Sequence, residues 1–110
     1  MDQATAVKAL AALAQPVRIE LFRALVATGA RGMTPSTMAQ GLGISPSTLS
    51  FHLKELANAG LIVPQRSSRN LIYRPAFDRM KAVLDYLMEN CCRDERCGCA
   101  AGGSSQEERA

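Results

Sequence analysis

Two helix-start signals stand eleven residues apart in the middle of this chain, Thr34-Pro35 and Ser45-Pro46. In each, a hydroxyl residue suited to capping a helix precedes a proline. Proline is tolerated at the first helical position because its missing N–H has no intrahelical partner there. Gly41-Leu42-Gly43 lies between the two signals and forms a tight turn. The first helix is therefore short, from Pro35 to about Gln40. The second carries Leu49, Leu53 and Leu56 on one face and ends at Asn58-Ala59-Gly60, where Gly60 suits a left-handed cap. A short helix, a glycine turn and a second helix that begins with hydroxyl residues make a helix-turn-helix pattern.

Residues 4–14 upstream read as a helix with a small-residue face, and a second helix from Pro16 carries Val17, Leu21, Phe22 and Leu25 before stopping near Gly29. Downstream, Leu61-Ile62-Val63 and Leu71-Ile72-Tyr73 are expected as two strands around a polar turn at 67–70. A last helix is expected from Phe77 to about Cys92, with Phe77, Met80, Leu84 and Leu87 inward and Val83 and Met88 beside them. The order predicts a mainly α fold with a small β-hairpin, a winged helix-turn-helix that dimerises through its first and last helices. Residues 1–92 form that domain, and residues 93–110, which have no apolar pattern, form a largely disordered tail. Hydrophobic residues make up 47% of the 110 and aromatics 5%, which fits one domain with a modest core of the kind that gains stability by oligomerising. The first residues have no signal-peptide pattern, and no apolar run approaches the ~20 residues of a membrane span. The expectation is a cytoplasmic protein with no membrane partner.

All four cysteines, Cys91, Cys92, Cys97 and Cys99, fall within nine residues. Core packing would scatter them. In a reducing compartment such a cluster points to metal ligation or redox chemistry rather than to disulfides. Thiolates select soft partners, among them Cd, Pb, Zn and, by the same softness, trivalent arsenic or antimony.

Several linked segments resemble the ArsR/SmtB family of metal-responsive repressors: Leu13 to Phe22 with Pro16 and Arg18, Met38 to Leu56 through Ser45, His52 and Lys54, Ala59 to Ile62, and Arg66 to Tyr73. The resemblance spans roughly residues 7–90. It implies a homodimeric winged-helix protein that holds operator DNA when metal-free and lets go when its inducer binds. The wing of such proteins usually reads Arg-x-Gly-Arg, whereas this chain has Arg66-Ser67-Ser68-Arg69. The cysteine pair that many arsenic-responsive members carry near the recognition helix is missing. No histidine follows His52 to build the zinc site of the last helix. The pattern that remains resembles a subgroup of arsenic-responsive repressors with a Cys-Cys pair at the end of the last helix and a third cysteine further on.

Trivalent arsenic takes three thiolates in a pyramid, while zinc favours a tetrahedron built from spaced cysteine arms. Adjacent helical side chains diverge by ~100°, so Cys91-Cys92 is not such an arm. A vicinal pair plus one returning thiol suits a three-coordinate centre. The expected ligands are Cys91, Cys92 and Cys97, with Cys99 as the alternate. The expected inducer is arsenite, antimonite or methylarsenite, and no permanent cofactor is expected. Cd, Pb or Zn sensing and thiol oxidation are the alternatives.

The first turns of a recognition helix face base edges. Pro46, Ser47, Thr48, Ser50 and Phe51 are thus candidates for reading double-stranded DNA, with His52 near the DNA backbone and Lys54, Arg66 and Arg69 on phosphates. Residues 45–74 carry a formal +3 of charge, whereas residues 89–110 carry −2, so the basic excess lies away from the cysteines. Ser45 reads as a helix cap rather than a DNA contact, and Met38, Met80 and Met88 fit core spacing. An enzyme using vicinal thiols is the reading from another class. The chain has no nucleotide-binding glycine loop and no His or Lys beside the cysteines to lower a thiol pKa, so no catalytic residues are expected.

Overall fold

A computed structural model of the chain describes residues 1–89. Helix α1 spans Gln3–Leu13 and buries Ala6, Ala9 and Ala12, small residues three apart that let other helices approach closely. Helix α2, Pro16–Thr28, opens on its proline and buries Leu21, Phe22 and Leu25, together with Arg18. A single 3-10 turn, Gly29–Arg31, follows. Helices α3, Pro35–Leu42, and α4, Pro46–Asn58, are the two capped helices of the central pattern. The Thr37 amide donates to Thr34 Oγ1 at 3.3 Å and the Thr48 amide to Ser45 Oγ at 3.2 Å. Gly43, at φ 69°, ends α3 in the left-handed region, as Gly60 does after α4 at φ 79°. The buried core gathers Leu21, Leu25, Met38, Leu49, Leu56, Leu61, Ile62 and Val83.

Strands β1, Ile62–Ser67, and β2, Asn70–Pro75, pair antiparallel from Ile62↔Pro75 to Ser67↔Asn70, longer than the two three-residue runs expected from the apolar pattern. Backbone pairing continues past the apolar residues because the two-residue loop Ser68-Arg69 keeps the strands in register out to Ser67 and Asn70. Met33 adds an isolated bridge to β2, its amide donating to the Tyr73 carbonyl at 3.0 Å and its carbonyl accepting from the Tyr73 amide at 2.8 Å. The approach is close enough that Gly32, at φ 71°, is obligatory: a Cβ there would sit 2.6 Å from the Tyr73 carbonyl oxygen.

Helix α5, Phe77–Met88, departs from expectation in two ways. Glu89 leaves helical geometry at ψ 136°, so the helix stops short of Cys92. Its apolar residues are also not all inward. Val83 is buried and Met80 half-buried, but Phe77, Leu84, Leu87 and Met88 are each more than half exposed. The cause is that α5 packs on α1 alone among the helices with substantial contact, so only one row of its side chains is covered. Val7 and Leu10 of α1 are exposed as well. No helix of the described residues is long and apolar enough to cross a membrane.

Candidate nucleic-acid interface

Helix α4 divides into two faces. Leu49, His52, Leu53 and Leu56 point inward and are buried, whereas Pro46, Ser47, Thr48, Ser50, Phe51 and Lys54 are exposed. Phe51 is 55% exposed, a large apolar ring on a polar surface. The helix start is ordered by its own hydroxyls. Ser45 Oγ donates to Thr48 Oγ1 at 2.9 Å, which leaves the Thr48 O–H free to donate outward beside its methyl group. Such a surface offers hydroxyl donors and acceptors for base edges, and methyl and ring carbon for thymine methyls.

The wing supplies charge. Arg66 at the end of β1 and Arg69 in the turn are both exposed, as is Lys54 on α4. Glu55 is the one carboxylate within residues 45–74. The candidates on α4 and the wing are therefore solvent-facing, with a single exception. His52 is 8% exposed and turned into the protein, so it is not on the face expected to meet the DNA backbone. The spacing explains this, because position 52 lies three after Leu49 and four before Leu56, inside the buried stripe.

Burial gives His52 a different partner. Arg18 Nε donates to His52 Nδ1 at 3.0 Å, so the imidazole is neutral with its proton on Nε2. Burial first, and the Arg18 charge second, hold its pKa below the usual histidine value. Arg18 is 5% exposed and also donates from Nη1 to the Ala12 carbonyl at 3.3 Å. That carbonyl belongs to the last turn of α1, and the residue four further on, Pro16, has no N–H to offer it. The guanidinium lies 5.5 Å from the centroid of the Phe51 ring. Sequence reading left Arg18 as part of a motif and gave it no role. The available signal was its place among Leu21, Phe22 and Leu25 on the inward stripe of α2, where a charge must find a partner.

Cys91, Cys92, Cys97 and Cys99, and the proposed boundary at residue 92, lie outside the described residues. Among the described residues no three His, Cys, Asp or Glu side chains gather into a group able to hold a metal ion.

A helix-turn-helix domain model matches residues 13–65. No curated protein sequence is similar enough to match the chain. Solved structures are. An ArsR-like transcriptional regulator from Rhodococcus sp. RHA1 is 24% identical, with a TM-score of 0.73 over 89% of each chain. A possible transcriptional regulator for arsenical resistance is 28% identical, with a TM-score of 0.63 over 89% of this chain and 98% of its own. A homodimeric winged helix-turn-helix DNA-binding domain from Mycobacterium bovis is 22% identical, with a TM-score of 0.64 over 84% of this chain and 83% of its own. The chain is thus a winged helix-turn-helix protein whose residues 13–65 carry a helix-turn-helix domain, similar in fold to ArsR-like regulators.

Proposed function

We propose that this chain is a homodimeric transcriptional repressor that reads a pseudo-palindromic operator and releases it on binding trivalent arsenic. The observation that carries the DNA reading is the free face of α4, where Ser47, Thr48, Ser50 and Phe51 are exposed beside the arginines of the wing. Hydroxyls and ring carbons would discriminate bases, while Lys54, Arg66 and Arg69 would neutralise phosphates without sequence preference. The exposed apolar side chains of α1 and α5 support a second copy packed across them, with the twofold symmetry that a palindromic operator mirrors. Homodimerisation of the Mycobacterium bovis domain is in keeping with this.

The inducer reading rests on the four thiols within nine residues and on the similarity to a possible regulator for arsenical resistance. Cys91, Cys92 and Cys97 would supply three thiolates, with Cys99 as the alternate, to arsenite, antimonite or methylarsenite. This mechanism includes no permanent cofactor and no catalytic step. The first test is binding of the reduced protein to labelled duplexes from its own upstream region. A site preferred at least a hundredfold over random sequence is expected, with Thr48→Ala and Phe51→Ala eroding the preference and Arg69→Ala weakening all duplexes alike. Equal affinity for every duplex would refute the operator reading.

A further inference from the structure

We infer that Arg18 is the positioning residue of the recognition helix, fixing α4 against the end of α1 through His52 and Phe51. Three observations converge on it. Its guanidinium is buried on α2, yet it has no carboxylate partner among the described residues, where the one ion pair is Lys81–Asp85. Its charge is met instead by the Ala12 carbonyl at the negative end of the α1 dipole, by the His52 Nδ1 lone pair and by the face of the Phe51 ring. Those three groups sit on two helices that Arg18 does not belong to. Phe51 and His52 are also adjacent, their rings edge to face at 5.6 Å. The exposed ring offered to DNA and the buried imidazole are therefore held by one side chain.

The geometry has a mechanical consequence. An apolar residue at position 18 would pack, but it would add no directed restraint on α4 beyond the buried leucine stripe. Arg18 adds two, a hydrogen bond to His52 and a contact with the Phe51 ring, while its second hydrogen bond ties it to α1. The buried stripe of Leu49, Leu53 and Leu56 decides which face of α4 turns inward, and the Arg18 contacts fix where His52 and Phe51 stand at the edge of that face. Because the second hydrogen bond ends on α1, a displacement of α1 is passed to α4 through the same guanidinium. A cleft of about 360 Å³ between α1 and α4 is lined by Arg18 with Lys8, Glu55 and Asn58.

This inference rests on the DNA-binding reading, and its test separates the two. Arg18→Lys, His52→Leu and His52→Asn would be compared with wild type in full-length protein, with affinity measured for the preferred site and for random duplex, and amide exchange along α4 measured without DNA. Lysine keeps the charge but cannot direct two bonds at once. Leucine removes the acceptor, and asparagine restores an oxygen near the Nδ1 position. The expected result is a tenfold or greater fall in the ratio of specific to random affinity for Arg18→Lys and His52→Leu. Random affinity should stay within about twofold, and His52→Asn should recover most of the ratio. Amides of α4 should exchange faster in the first two variants. A merely structural role would lower thermal stability without moving the ratio. Folded variants that keep the wild-type ratio overturn the inference. Should wild type prefer no site, the operator reading falls, and amide exchange alone then decides: faster exchange confined to α4 upholds the positioning role, and exchange that is unchanged or raised alike in every helix overturns it.

Discussion

Ser68 carries the one positive φ of any non-glycine residue among the described residues, 56°, at the first corner of the wing turn. Positive φ there and not at Arg69 matches a type II′ hairpin turn, which favours glycine at that corner. Ser68→Gly is therefore expected to stabilise the protein by roughly 0.5–1 kcal/mol, because the left-handed cost outweighs the entropy glycine adds to the unfolded chain. Thermal unfolding reads this, and a lower melting temperature would contradict it. His52 makes a second residue-level prediction. Its folded pKa is lowered, by burial and then by Arg18, so the unfolded chain takes up a proton first on acidification. The stabilisation is whole above the ordinary histidine value of ~6.5 and is lost as pH falls below it toward the folded value. The stability advantage of wild type over His52→Asn should accordingly narrow between about pH 7.5 and 5.5. A difference independent of pH would show that the imidazole is protonated alike in both states.

Helix α4 depends on its first turn more than its length suggests, because one hydroxyl does two tasks there. Ser45 Oγ accepts from the Thr48 amide and donates to the Thr48 hydroxyl. Ser45→Ala should cost about 1 kcal/mol of stability and also loosen the residue best placed to read a base. Denaturant unfolding checks the first part. A change below a few tenths of a kcal/mol would mean that Pro46 alone holds the helix start. The cap was legible in the sequence, as were the helix order, the hairpin and the exposed face of the recognition helix, since each follows from local chemistry: Thr-Pro and Ser-Pro starts, glycine stops and a leucine stripe. The bridge from Met33 to Tyr73 was not, because a single pair of long-range hydrogen bonds leaves no periodic trace. The Arg18–His52 contact escaped for a related reason. Each residue lies on the inward stripe of its own helix, but their pairing across 34 positions is a matter of packing. The inward reading of α5 failed because an apolar stripe reports burial without saying whether the cover comes from the same chain.

Viewed whole, the molecule presents two surfaces of opposite kind. One is basic and hydroxyl-rich, on α4 and the wing, and the other is apolar, with Val7 and Leu10 of α1 and Leu84 and Leu87 of α5 exposed. Patches of exposed large apolar side chains of this sort are characteristic of association sites. Leu84→Glu is expected to leave the monomer folded, since Leu84 is 54% exposed, and to raise the dimer dissociation constant at least a hundredfold by sedimentation. Unchanged assembly would place the dimer contact elsewhere. The arrangement puts the recognition helix at one end of a chain of contacts, α5 on α1 and α1 on α4 through Arg18, and in sequence Cys91 comes three residues after Met88, the last of α5. Ligand binding at the thiols would then act on DNA through the dimer helices. A coupling of about 1–3 kcal/mol would suffice for regulation and would be reciprocal, with operator DNA weakening the inducer by the same factor. The most direct test is release of the reduced protein from its labelled operator during titration with arsenite, in wild type and in Cys91→Ser and Cys92→Ser. Release near one arsenic per chain, abolished in both variants, is the predicted result. Release that survives both substitutions, or that follows only cadmium, zinc or peroxide, would contradict it.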